Sequence, residues 1–188
     1  PKMSKLELTN AMIELNKLAK KNTEEAAKAN YLLGNFYYNT TTLGYYRYLL
    51  TFDRNNENGP KYNNYGDDYQ ATSNFFYKSF GWGGNYVDNF TPSENYLKKA
   101  FDLTKDKEMK AQVLFALSKN EQGRFYNSKD EVLRKLYENQ YDNEEKILSY
   151  KVVYYRSYFK ELKQYSDTKA YQETKSNCKY FDYYTNNY

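Results

Sequence analysis

Tyrosine carries most of the recognition chemistry open to this chain. Tyr37, Tyr38, Tyr45, Tyr46 and Tyr48 crowd one stretch, and Tyr150, Tyr154, Tyr155 and Tyr158 crowd another, with Arg47 and Arg156 set among them. A phenol buries an apolar ring and keeps a hydroxyl at its edge, and Tyr and Arg are the residues enriched where proteins bind one another. Some of these rings must be core, and those left facing a groove would form a binding surface. A third group, Trp82 and Tyr86 in SFGWGGNYVDNF, sets aromatic rings among Gly and Asn, a composition that suits a sugar or peptide platform. The candidate binding residues are therefore Tyr45, Tyr46, Arg47, Tyr154, Tyr155 and Arg156, with Trp82 and Tyr86 as candidate glycan contacts.

Reaction chemistry finds less material. The absence of histidine removes Ser-His-Asp and Cys-His nucleophiles, histidine metal ligation and histidine bases together. Cys178 is the single cysteine, so no internal disulfide or thiolate cluster forms, and its setting in TKSNCKYF predicts a small buried helix residue. Glu24-Glu25 and Glu144-Glu145 stand where helices start, and complementing the helix dipole is sufficient reason for them. GWGG lacks the Gly-Lys-Ser/Thr of a phosphate loop. DRNNENGPKYNNYGDD holds many oxygen ligands without EF-hand spacing. The expectation is a protein without catalytic residues, cofactor or metal.

The elements that must position the tyrosines follow from composition and period. Charged residues make up 28% of the 188, hydrophobic ones 40% and aromatic ones 20%, a foldable mixture with 25 Tyr, 11 Phe and one Trp. The net charge of +4 is spread over mixed Lys and Glu rather than gathered in a basic stripe, which argues against a nucleic-acid partner. Apolar runs are too short to span a membrane. The chain starts at Pro1 and shows no signal peptide, as expected of a processed protein or an excised piece.

In KANYLLGNFYYN, Ala29, Leu32, Leu33, Phe36 and Tyr37 form one helical stripe. Gly34 lies off that stripe, where a missing side chain lets a neighbouring helix approach. Leu8, Met12, Leu15 and Leu18 mark a preceding helix, and Asn22 or Thr23 caps the next, so residues 5–39 read as a helical hairpin. TPSENYLKKAFDLTKD opens a second hairpin, with Thr91 as cap, Pro92 at the first helical position and Glu94 completing a capping box. MKAQVLFALSKNEQ is its second helix. A third hairpin runs through YFKELKQYSDTKAYQETKSNCKYF. In each, eleven positions separate an apolar residue of the first helix (Leu18, Ala100, Phe159) from the alanine of the second (Ala29, Ala111, Ala170). Further helices are predicted in TLGYYRYLLTF, QATSNFFYKSF, SKDEVLRKL (with a Ser128–Glu131 capping box) and EEKILSYKVVYYRSYFKEL. VVYY alone resembles a strand and lies within helix-period sequence. The reading is an all-α domain of about eight helices over residues 1–188, in stacked hairpins, with irregular long loops near 53–67 and 80–91.

N-Y-L-L-G-N-F-Y resembles the first helix of a tetratricopeptide repeat through the spacing of Asn30, Leu33, Gly34 and Tyr37, and YLKKAFDL is similar to that family's second helix. The copies lie 82 and 59 residues apart (Ala29, Ala111, Ala170), so insertions separate them. FKELKQYSDTKAYQETKSNCKYF and AKANYLLGNFYYNTTTLGY look like the C-terminal helical region of large Bacteroidetes envelope proteins. That resemblance implies a tetratricopeptide-like fold and a cell-envelope location, periplasmic or outer-membrane associated. The function expected is a non-enzymatic scaffold holding a protein partner, or a neighbouring domain of the same chain, on a Tyr-rich groove. The alternative is a glycan-binding component, because AKANYLLGNFYYNTTTLGYYR is also similar to the helix of SusD-like outer-membrane proteins.

Overall fold

The computed structural model describes residues 3–41, 44, 90–126, 130–138 and 141–188. Among them are nine α-helices, one 3-10 turn and no strand. They are α1 Lys5–Ala19, α2 Glu24–Asn39, α3 Thr91–Leu103, α4 Lys107–Tyr126, α5 Glu131–Glu138, α6 Glu144–Tyr154, α7 Ser157–Leu162, α8 Lys169–Asn177 and α9 Lys179–Asn187, with the 3-10 turn Lys163–Tyr165 extending α7. The all-α expectation holds for the described residues, which by themselves carry more helices than the count of about eight expected of the whole chain. The helices predicted in 42–52 and 70–80, and the loop near 53–67, lie outside the described residues.

The three hairpins are present: α1 turns into α2, α3 into α4, and α7 with its 3-10 turn into α8. Yet the most extensive packing is between α2 and α3, on either side of residues 40–90. α4 packs next against α3, α7 and α8. The stack therefore runs α1, α2, α3, α4, then α7 and α8, and its short turns fall at one end. Residues 40–90 and 127–156 both leave from the other end, where α2 and α4 finish and α3 and α7 begin. Phe90 meets Tyr38, with ring centroids 6.3 Å apart, and Arg124 reaches Thr91 at 3.3 Å, so the starts and finishes at this end converge.

The second and third short turns are each laced to the second arm of the hairpin before. The Glu24 carboxylate, in the first turn of α2, accepts the Thr104 hydroxyl at 2.5 Å and the Lys105 N–H at 3.2 Å. Glu108, in the first turn of α4, accepts the Lys169 and Ala170 N–H groups at 2.9 and 2.5 Å. Helix starts leave N–H groups without partners, and at the start of α8 the Glu108 carboxylate of α4 satisfies two of them, while Glu24 of α2 holds the turn before α4. Glu24 thus does more than complement a dipole.

Several local expectations are corrected. Phe90, not Thr91, stands before α3, and no side chain caps that helix; Glu94 is drawn inward to Arg124 instead of back to its own first turn. Of the two caps expected for α2, Asn22 or Thr23, the structure has Thr23. Ser4 and Glu7 form the capping box of α1. Asp130 Oδ1 accepts from Val132 and Leu133 N–H at 2.8 and 3.1 Å and so starts α5, while Ser128 lies outside the described residues. EEKILSYKVVYYRSYFKEL breaks at Tyr155–Arg156 into two helices. Cys178 is half-buried at the junction of α8 and α9, with φ −114° and ψ 97°, rather than inside a helix. In α2 the buried residues are Ala26, Ala27, Ala29, Asn30, Leu33 and Gly34, and Leu32 is 44% exposed. A stripe centred on Asn30 replaces the one drawn through Leu32.

The core follows α4, which is buried on nearly every side from Ala111 to Phe125, as a helix packed by neighbours all round must be. Leu97, Val113, Leu114, Leu117, Phe159, Leu162 and Phe181 form its main cluster. Burying each such side chain contributes roughly 1.5–3 kcal/mol. By contrast α6 has no buried residue, and α5–α6 forms an outlying pair.

Candidate functional site

The last carbonyl groups of a helix lack intrahelical donors, and at the end of α1 two long-range side chains supply them. Asn30 Nδ2 donates to Ala19 O at 3.1 Å, and Lys99 Nζ donates to the same oxygen at 2.6 Å. Asn30 gives its other N–H to Ala26 O at 2.7 Å. Its Oδ1 is buried without a hydrogen-bond partner. This junction ties α1, α2 and α3 together and floors an open groove of about 540 Å³ between them.

Two tyrosines form the wall. Tyr37 of α2 and Tyr96 of α3 stack with centroids 5.2 Å apart and planes at 4°. The Tyr96 hydroxyl donates to Asn16 Oδ1 at 2.9 Å, and Asn16 Nδ2 donates to Met12 O at 2.7 Å. One ring is thus fixed by stacking and by a two-step hydrogen-bond chain into α1. Burial, reinforced by Tyr96, pushes the Tyr37 phenol above its ordinary pKa. Lys20 and Lys99 stand at one end of the groove, Thr91 and Pro92 also line it, and no Asp or Glu among the described residues lines it. Such a site offers aromatic surface, amides and positive charge. It offers no nucleophile with a base, and among the described residues no group of His, Cys, Asp or Glu is arranged to hold a metal.

Of the binding residues expected from sequence, Tyr45, Tyr46, Arg47, Trp82 and Tyr86 lie outside the described residues. The other three separate. Tyr154 is 62% exposed. Tyr155 is half-buried and meets the Phe125 ring edge-on at 5.4 Å. Arg156 is only 5% exposed; its guanidinium lies 4.8 Å over the Phe159 ring and donates to Tyr155 O at 3.2 Å and Gln122 Oε1 at 2.5 Å. Tyr155 and Arg156 build the corner between α6 and α7. The groove instead uses Tyr96, Asn16, Asn30 and Lys99, which sequence reasoning passed over. Their signals were an asparagine in the apolar stripe of α2 and the Pro92, Tyr96, Lys99 spacing along α3.

Beside the groove, at the end where residues 40–90 and 127–156 leave, a carboxylate network closes the stack. Glu94 pairs with Lys98 at 2.6 Å and with Arg124, and accepts the Tyr158 hydroxyl at 3.2 Å. Burial opposes its ionisation, but the two cations and their hydrogen bonds outweigh that and hold its pKa below the ordinary value. Burial first, then Glu94, drives the Tyr158 phenol far up. Glu121 accepts the Ser157 N–H at 3.1 Å, the Ser157 hydroxyl and the Tyr158 N–H at 3.2 Å, capping α7. Here burial prevails and raises the carboxyl pKa. Lys151 lies 4.5 Å over the Phe125 ring and 5.3 Å over Tyr180. Burial, with help from Arg156, lowers its pKa to about 8.

No protein family, curated protein or solved structure matches this chain. The geometry above therefore stands without a template. No helix among the described residues is long and apolar enough to cross a membrane.

Proposed function

We propose that this chain is a non-enzymatic binding module, a tetratricopeptide-like stack that holds a segment of a protein partner, or of a neighbouring domain, in the groove between α1, α2 and α3. The observation that carries this reading is the stacked Tyr37–Tyr96 pair, fixed through Asn16 beside an open groove. Fixed aromatic rings bind at low entropic cost, because little side-chain freedom remains to be lost. A place in an envelope-associated assembly belongs to this proposal and rests on the motif resemblance of FKELKQYSDTKAYQETKSNCKYF and AKANYLLGNFYYNTTTLGY alone. The glycan alternative, a SusD-like component, rests on Trp82 and Tyr86, outside the described residues, and enters the test as the competitor.

The test uses the tagged chain and its Tyr96→Ala variant as baits for solubilised envelope extract, read by quantitative mass spectrometry. A protein held by the wild type and lost by a variant of equal helicity is the expected result. Equal capture by both would remove the groove from the reading. An oligosaccharide-dependent change in Trp82 fluorescence, with no protein captured, would favour the glycan alternative.

A further inference from the structure

Building on the groove reading, we infer that the segment it takes is an extended peptide with an acidic residue at the Lys20–Lys99 end. Among the described residues that line the groove there are two lysines and no carboxylate. Neither lysine makes an ion pair among the described residues. Some cations elsewhere do have an acid beside them, as Arg124 has Glu94 and Lys107 has Asp167. Lys99 donates to one neutral carbonyl and so keeps two N–H groups for an anion. Lys20 is exposed at the same end.

The length and the rest of the lining fit a peptide. Thr91, Asn95 and Lys99 succeed one another at single helical turns along α3 and all line the groove. Eight residues of helix span about 12 Å, which about four extended residues cover. The exposed Asn95 amide sits midway, and a primary amide can donate to and accept from a peptide backbone. The Tyr37–Tyr96 wall supplies surface for an apolar or aromatic side chain two positions from the acid.

A displayed library of random hexapeptides, selected on the intact 188-residue chain, tests this. The expected outcome is a set of binders enriched in Asp or Glu, lost on the Tyr96→Ala variant and retained by Tyr96→Phe. Their affinity should fall about five-fold in Lys20→Gln, the effect of one surface charge pair, and fall as salt rises. Lys20 is exposed, so that variant leaves the fold intact, and Lys99→Gln serves as the second variant. Binders lost on Tyr96→Ala but not enriched in acid would overturn this inference and leave the groove reading standing. No binders, or binders indifferent to Tyr96→Ala, would overturn both. Displacement of the binders by a galacturonic acid oligomer at lower concentration than by the free peptides would transfer the site to acidic glycans and overturn the peptide assignment.

Discussion

Gly34 of α2 is pressed against Leu97 of α3 so closely that a methyl group on its Cα would stand 2.5 Å from Leu97 Cγ and 3.2 Å from the Leu97 backbone nitrogen. The contact is sealed by Ser93, whose hydroxyl donates to Gly34 O at 2.7 Å and accepts from Asn120 Nδ2 at 3.0 Å. Gly34→Ala should therefore destabilise the stack by roughly 1–2 kcal/mol, overpacking outweighing the better helix propensity of alanine. Urea unfolding measures it, and the loss should be smaller in a Leu97→Ala background, because the two positions are coupled. Equal losses in both backgrounds would place the strain elsewhere. Gly123, pressed against the Phe90 ring, should behave alike.

Acid titration separates Glu94 from Glu121. The depressed pKa of Glu94 means that it stabilises the fold above the ordinary glutamate pKa and that this contribution is lost as pH falls through the folded value. The raised pKa of Glu121 acts oppositely: between the ordinary and the folded values the folded state holds the extra proton, so stability falls as pH rises. Glu94→Gln should cost roughly 2 kcal/mol at neutral pH, less than a fully buried pair because Arg124 and Lys98 keep solvent contact. It should also flatten the loss of Tm toward acid, whereas Glu121→Gln should steepen it. Parallel shifts in the two variants would contradict the assignment.

Lys151 predicts a rise of stability in mild alkali. Its folded pKa is near 8, below the ordinary lysine value of about 10.4, so the unfolded chain binds more protons between the two and stability rises with pH. Lys151→Met, which keeps a flexible apolar side chain between the Phe125 and Tyr180 rings, should raise Tm at neutral pH and abolish most of the slope from about pH 8 to pH 9.5. The window ends there because tyrosines begin to ionise in the unfolded chain. A variant slope equal to the wild type would mean that other groups produce it.

Asp130 caps α5 and holds Tyr150 of α6 through a 2.5 Å hydrogen bond that pushes the phenol pKa up to about 12. Because α6 buries no residue, this pair should open without the stack. Asp130→Ala is expected to accelerate amide exchange across residues 131–154 while leaving α3 and α4 protected. Protection lost uniformly over both would show that the pair belongs to one cooperative unit with the rest.

The hairpins were legible because apolar period, alanine spacing and turn chemistry are local and agree with one another. Gly34 was legible as a point of close approach for the same reason, since a glycine in a helix calls for a neighbour. Partner choice was not legible. Glu94 has the spacing of a capping box, but Arg124 from another helix competes for it, and no local rule ranks the two. Asn30 interrupts an apolar pattern, and only the assembled α1–α3 junction supplies the carbonyls that make its burial tolerable. Arg156 sits among tyrosines in sequence, yet Gln122 and Phe159 draw it inward. The groove is built from such long-range choices, so its tyrosines could be counted in the sequence but not placed.

The pairing of α2 with α3 across residues 40–90 also sets an order of events for folding. The α1–α2 and α3–α4 hairpins close over a few residues, whereas joining α2 to α3 brings together positions about fifty residues apart, which for a flexible chain costs on the order of 3 kcal/mol. Nucleation belongs to the hairpins, and the spine zips only when the distant pair docks, which raises the contact order and slows folding. The same logarithm makes the stack tolerant: doubling the length between α2 and α3 would add only about 0.6 kcal/mol. On chain entropy alone, then, the length between α2 and α3 is weakly constrained.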